Sequence, residues 1–150
     1  MADKRLPNFA VETVNAPSRI YDPKKVRIQA TISGYGTEKA MKTVELVLNG
    51  KQLTSKSVEI PAGGRASVDF LTLDAPYGMN RGEIRVSPAD SFPADDHFYF
   101  SVERADQRHI LFVHEDRGAR AVLYYQTALD ASSEAAFTLD PVTVEQVVNL

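Results

Sequence analysis

The chain has 150 residues, room for one ordinary domain or for a domain of about 100 residues with part of a second. Hydrophobic residues at 43% and charged residues at 25% form an ordinary globular balance that excludes disorder, collagen and disulfide scaffolds. Lys and Arg total 17 against 20 Asp and Glu, a formal net charge of −3, which leaves no basic excess to grip a phosphate backbone and makes nucleic acid an unfavourable partner.

There is no Cys, which removes disulfides, thiolate metal sites and cysteine nucleophiles together. No run approaches the ~18 apolar residues that span a bilayer. The stretch from Met1 to Asn8 is charged and short, with no visible signal peptide. These features fit a cytoplasmic protein or a segment of a longer exported or anchored chain, and they predict no membrane contact by this segment.

From Phe9 to Val102 apolar residues recur with period two, interrupted about every ten residues by Gly, Pro, Asn and Asp. That pattern predicts an antiparallel sandwich. Pro17 and Asp22-Pro23 belong in a link where a missing N–H costs no ladder bond. Val26, Ile28, Ala30 and Ile32 then alternate with Lys25, Arg27, Gln29 and Thr31, which predicts a strand over 25–33 with one dry and one wet face. Val44, Leu46 and Leu48 lead to Asn49-Gly50, a type I′ turn signal, and Lys51 to Ile60 returns as the second arm of a hairpin. Leu53 is odd-numbered while Val58 and Ile60 are even, so a bulge, or a strand crossing between sheets, is expected within Thr54 to Ser57. Pro61 to Gly64 turns into a strand over 65–73, Ile84 and Val86 mark a short strand after a Tyr77–Asn80 loop, and Phe98, Phe100 and Val102 mark the last. Seven strands result, the number of a small immunoglobulin-like sandwich.

After Glu103 the grammar changes. Ile110 to Val113 is a continuous apolar run, expected for a parallel strand buried on both faces. Ala119 to Ala131 has helical spacing, Ala136 to Leu139 predicts another short strand, and Thr143 with Gln146 forms a capping box that opens a second helix. The fold class is therefore mainly β: a sandwich over 8–104, a linker at 105–108, and an incomplete β-α-β-α segment of a doubly wound α/β domain over 109–150. Such a domain needs roughly 100 residues, so the natural chain is expected to continue beyond Leu150.

Four stretches of the sandwich, in this order, carry a resemblance. They are Gly34-Tyr35-Gly36-Thr37-Glu38-Lys39-Ala40, Val44 to Gly50, Val58-Glu59-Ile60-Pro61-Ala62-Gly63-Gly64, and Asp90-Ser91-Phe92-Pro93-Ala94-Asp95-Asp96-His97-Phe98. Together they resemble the CARDB family, cell-adhesion-related domains found in bacteria, over about residues 8–104. One departure is that the family's closing turn usually ends in paired Asn, where this chain has Asp95-Asp96. The stretch from His109 to Leu150 resembles the start of a class I glutamine-amidotransferase-like domain. The combination is similar to membrane-anchored bacterial proteins that also carry a von Willebrand factor A domain, which implies an extracytoplasmic parent. The nucleophile of the amidotransferase-like fold follows a later strand, so no catalytic residue carries over.

The candidate sites are few. Asp90, Asp95 and Asp96 share a turn, and carboxylates with loop carbonyls are what Ca²⁺ prefers, although Asp also serves turn backbone. His114, Glu115 and Asp116 follow the first parallel strand, where open α/β sheets bind ligands; the alternative is a polar turn before a helix. His97 and Tyr99 are expected on an outward face, and His109 in the linker. One of Tyr124 and Tyr125 should pack while the other shows its hydroxyl to water. No catalytic residue and no cofactor is expected. Taken together, these features predict a non-catalytic interaction or spacer module of a bacterial cell-envelope protein. Its partner would be another protein, a neighbouring domain, or a second copy docked through residues 109–150. The alternative is a fragment of an enzyme or small-molecule-binding protein completed beyond Leu150.

Overall fold

The computed structural model describes residues 6–115, 119–131 and 136–148. Ten strands and two helices follow in chain order: β1 Asn8–Asn15, β2 Arg19–Ile20, β3 Ile28–Tyr35, β4 Ala40–Leu48, β5 Lys51–Ile60, β6 Arg65–Phe70, β7 Gly78–Ser87, β8 His97–Arg104, β9 Arg108–His114, α1 Ala119–Asp130, β10 Phe137–Thr143 and α2 Val144–Val148.

The first eight strands make two sheets, ordered β1-β3-β6 and β2-β8-β7-β4-β5. All neighbours run antiparallel except β2, which lies parallel to β8. Alternation dictates the interior: Ile28, Ala30 and Ile32 of β3, Val44 and Leu46 of β4, and Ile84 and Val86 of β7 are at or near zero exposure. Val26 is buried as well but lies before the ladder, so β3 begins three residues later than the pattern suggests and runs on to Tyr35.

The sandwich has eight strands where alternation indicates seven. The additional one, β2, is two residues long and sits between prolines, too short to carry a period. β7 begins at Gly78 and absorbs most of the expected Tyr77–Asn80 loop, because Asn80 faces inward opposite Val102. β6 ends at Phe70: the Leu73 N–H leaves the ladder and donates to Pro23 O at 3.0 Å.

Asn49 and Gly50 both take positive φ, 50° and 82°, as a two-residue hairpin turn requires. The bulge falls outside the expected window. Leu46 pairs with Thr54 and Val47 with Gln52, so the extra residue is Leu53 itself. Leu53 is 38% exposed; its odd number records the bulge rather than an inward face. A second shift occurs in β1, where Val11 pairs with Ile32 and Thr13 with Thr31. It turns Glu12 out of the ladder toward the Ser33 hydroxyl and the Arg65 guanidinium, 2.6 Å away.

From residue 108 on, the described residues build a separate two-stranded parallel sheet of β9 and β10, with α1 between them in sequence. Tyr125 of α1 meets Phe112 of β9 at 4.9 Å between ring centres, yet Tyr125 and Tyr124 are both exposed, 56% and 72%, so neither is packed away as expected. The Thr143 N–H donates to Gln146 Oε1 at 2.8 Å, one arm of the capping box that opens α2. β9 is not buried on both faces: Ile110, Leu111 and Val113 are 37%, 58% and 46% exposed. One helix and one neighbouring strand cannot cover two faces and two edges.

Candidate functional site

The aspartate turn lies between β7 and β8 and is stitched to β1. Asp95 O accepts the Val11 N–H at 2.9 Å, and Asp96 O accepts the Val86 N–H at 2.9 Å. The side chains continue the same work. Asp90 Oδ2 accepts the Phe9 N–H at 2.6 Å and its Oδ1 the Phe92 N–H at 2.8 Å. Asp95 Oδ2 accepts from Asn8 Nδ2 at 2.8 Å, and Asp96 Oδ2 accepts the Asp90 N–H at 3.2 Å. The carboxylates of Asp90 and Asp95 thus clamp the turn to the first strand, and that of Asp96 braces the turn from within. Among the described residues, no three His, Cys, Asp or Glu side chains are placed to hold one metal ion.

Asp96 is fully buried. Burial, together with the negative charges of Asp90 and Asp95, pushes its carboxyl above the ordinary Asp value, while the Asp90 N–H and the Lys42 ammonium pull the other way. Its Oδ1, like Asp95 Oδ1 and Asn8 Oδ1, is buried without a hydrogen-bond partner. Lys42 is itself buried, donating to Pro88 O at 2.8 Å with its ammonium 4.5 Å from the centre of the Phe9 ring.

A second polar cluster occupies the outward face of the five-stranded sheet. Glu83 Oε1 is 3.0 Å from Arg85 Nε and 2.6 Å from His97 Nδ1, and Arg85 also reaches Glu45 at 3.8 Å. Burial works against the Glu83 charge, yet hydrogen bonds from Arg85 and His97 outweigh it and hold the carboxyl below its ordinary range. Tyr99 stacks beside His97 at 6.3 Å and is 61% exposed. His97 and Tyr99 do face outward, but His97 is half-buried by its pairing. The cluster is visible in the sequence only once β7 and β8 are registered, because Arg85 lies opposite His97 and Glu83 opposite Tyr99.

His114 Nδ1 lies 2.8 Å from Glu115 O, a contact to the next residue; Asp116 falls outside the described residues. His109 is not a linker residue. It stands in β9, with Nδ1 2.7 Å from Asp140 Oδ2 of β10. The structure therefore brings Asp90, Asp95 and Asp96 into one turn, at the opposite end of β8 from the joint to His114 and Glu115. In the aspartate cluster one oxygen of Asp95 and one of Asp96 accept amide N–H groups while their Oδ1 atoms stay unpartnered, and in the sheet cluster Glu83 and Glu45 face ion-pair partners. Neither contains an arranged nucleophile and base.

Two sheets, antiparallel but for the short β2, enclose one core and define a mainly β, immunoglobulin-like sandwich. Residues 10–99 match the family described as Domain of unknown function (DUF7407), and the chain belongs to that family. Among solved structures it is similar to the CARDB domain of a Pyrococcus furiosus protein in complex with di-metal ions. That match has 16% identity and a TM-score of 0.58, over 67% of this chain and 90% of that one. The solution structure of that CARDB domain matches at 16% identity with a TM-score of 0.58, over 67% and 96% of the two chains. A β-glucosidase from Listeria innocua matches at 15% identity with a TM-score of 0.50, over 66% of this chain and 16% of the enzyme. At such identities the likeness establishes a CARDB-like fold. No curated protein matches the chain. The amidotransferase-like reading of residues 109–150 receives no support from these matches, and the family match ends at residue 99.

Proposed function

We propose that this chain is a non-catalytic interaction or spacer module of a larger bacterial cell-envelope protein, making adhesion-type contacts with a protein partner or a neighbouring domain. The observation that carries the reading is the fold match to 90% of a CARDB domain, against only 16% of the matched β-glucosidase. In this reading residues 8–104 are the module and 105–107 the joint, one residue shorter than the sequence suggests because Arg108 already pairs in β9. The described residues from 108 on are an attached β-α-β-α segment. Asp90, Asp95 and Asp96 act as backbone clamps and not as ligands. Among the described residues no helix is long and apolar enough to cross a membrane.

Two measurements test this. The chain is assayed on chromogenic esters, phosphates and glycosides, with and without divalent ions; no turnover is expected. Turnover abolished by Glu115→Gln would instead establish an enzyme. An epitope-tagged copy expressed in its native host should lose the tag when protease is added to intact cells or to cells whose outer layer has been permeabilised. Protection under both conditions would overturn the assignment to the periplasm or cell envelope.

A further inference from the structure

Of the five asparagines in the chain, only Asn49 is followed by glycine. A glycine has no side chain to shield its own nitrogen, so the Gly50 nitrogen can attack the Asn49 carboxamide carbon where a bulkier residue would obstruct the approach. The attack forms a bond from Gly50 N to Asn49 Cγ, breaks the Cγ–Nδ2 bond and releases ammonia. Water then opens the cyclic imide to aspartate or isoaspartate. Water is the one co-reactant, and it has access: Asn49 and Gly50 are exposed, and no atom lies within 4 Å of where a Gly50 Cβ would stand.

The fold holds this reaction back. Asn49 N donates to Arg81 O at 2.8 Å. Its Oδ1 accepts the Arg81 N–H at 2.9 Å, and its Nδ2 donates to Asn80 Oδ1 at 2.8 Å. The carboxamide is therefore turned to β7, and it must leave both partners before its carbon can meet the Gly50 nitrogen. We infer that Asn49 is a deamidation site controlled by the start of β7, silent while Asn80 and Arg81 hold it and reactive once that corner opens. The product cannot take up the old contacts again. A carboxylate has no N–H for Asn80 Oδ1, and Asn80 cannot turn its amide round because its Nδ2 is held by Pro76 O at 2.8 Å and Gly78 O at 2.9 Å. Two acceptors then face each other at a side chain only 3% exposed. Isoaspartate in addition lengthens the backbone of a two-residue turn that needs φ of 50° and 82° at Asn49 and Gly50. Deamidation thus makes a passing opening of the hairpin tip permanent.

Peptide mass mapping tests this on the 150-residue chain, incubated warm in mildly alkaline buffer. Conversion at Asn49 should be at least about tenfold slower in the folded chain than in the same chain unfolded in urea, the protection that two ordinary hydrogen bonds give. Asn80→Ala removes one of those bonds and loosens the corner, so the folded variant should convert faster than the unmodified chain. Asn49→Asp installs the carboxylate directly and should lower Tm and quicken amide exchange at Arg81. Equal rates in the folded and unfolded chain, no conversion at Asn49 in either, an Asn80→Ala rate equal to that of the unmodified chain, or an Asn49→Asp chain of unchanged Tm would overturn the inference. If Asn80→Ala fails to fold, urea below the unfolding transition replaces it: conversion at Asn49 must then rise together with exchange of the Arg81 amide, and a rate that stays flat overturns the inference.

Discussion

Phe100 lies directly over Gly82, its cross-strand partner, so closely that a Cβ on Gly82 would come within 2.2 Å of Phe100 Cζ. Glycine in a strand interior normally weakens it, and a facing aromatic ring restores the lost cover. The pair lets β7 and β8 close over the core with the ring flat on the backbone. Gly82→Ala forces Phe100 out of place, an overpacking cost of about 1–3 kcal/mol. For a chain of this size that lowers Tm by about 3–9 °C. Thermal unfolding checks the value, and Phe100→Leu should restore part of the loss in the double variant.

Asn80 is 3% exposed and holds the strand entrance by itself. Its Nδ2 donates to Pro76 O at 2.8 Å and Gly78 O at 2.9 Å, and its Oδ1 accepts from Asn49 Nδ2 at 2.8 Å. Asn49 in turn accepts the Arg81 N–H, so one buried amide links the β4–β5 turn to the start of β7. Asn80→Ala leaves the Pro76 and Gly78 carbonyls without this donor, at a cost of about 2–3 kcal/mol. Urea unfolding should show a lower midpoint with an unchanged slope. Hydrogen exchange should quicken at Gly78 to Arg81 before the rest of the sheet.

These two positions mark where sequence reasoning stops. The alternation of Val26, Ile28, Ala30 and Ile32 names their buried face without any structure, and Asn49-Gly50 names its turn, because both signals are local. Gly82, Asn80 and the Glu83–Arg85–His97 cluster acquire meaning only through cross-strand register, which no local period encodes. The parity change around Leu53 reveals that a bulge exists but not on which residue it falls. The apolar run Ile110 to Val113 marks a strand correctly and says nothing about what covers it. Its exposure depends on neighbours that composition cannot supply.

Glu83 gives the outward cluster a pH signature. Its carboxyl titrates below its ordinary value of 4.5, so its contribution to stability is present above that pH and is lost as pH falls through the depressed value. Glu83→Gln should lower Tm at pH 7, and the gap between the variant and the parent chain should close on acidification below about pH 4.5. A gap independent of pH would mean that the side chain acts by packing alone.

Asp96 carries the opposite sign. Its carboxyl is raised above the ordinary value of 3.8 by burial and by the charges of Asp90 and Asp95. The folded state therefore holds its proton more tightly than the unfolded chain. That contribution is full below pH 3.8 and is lost as pH rises through the raised value. Asp96→Asn keeps an oxygen to accept the Asp90 N–H and removes the charge. The Asn variant should match or exceed the parent chain in Tm at pH 7 and lose this advantage as pH falls toward 4. A calcium ion bound by Asp95 and Asp96 would reverse the outcome at neutral pH. In that case millimolar Ca²⁺ would raise the parent Tm by mass action, EDTA would lower it, and Asp96→Asn would abolish both responses. Because every clamp in this turn ends on a protein amide, Tm is expected to be the same in Ca²⁺ and in EDTA.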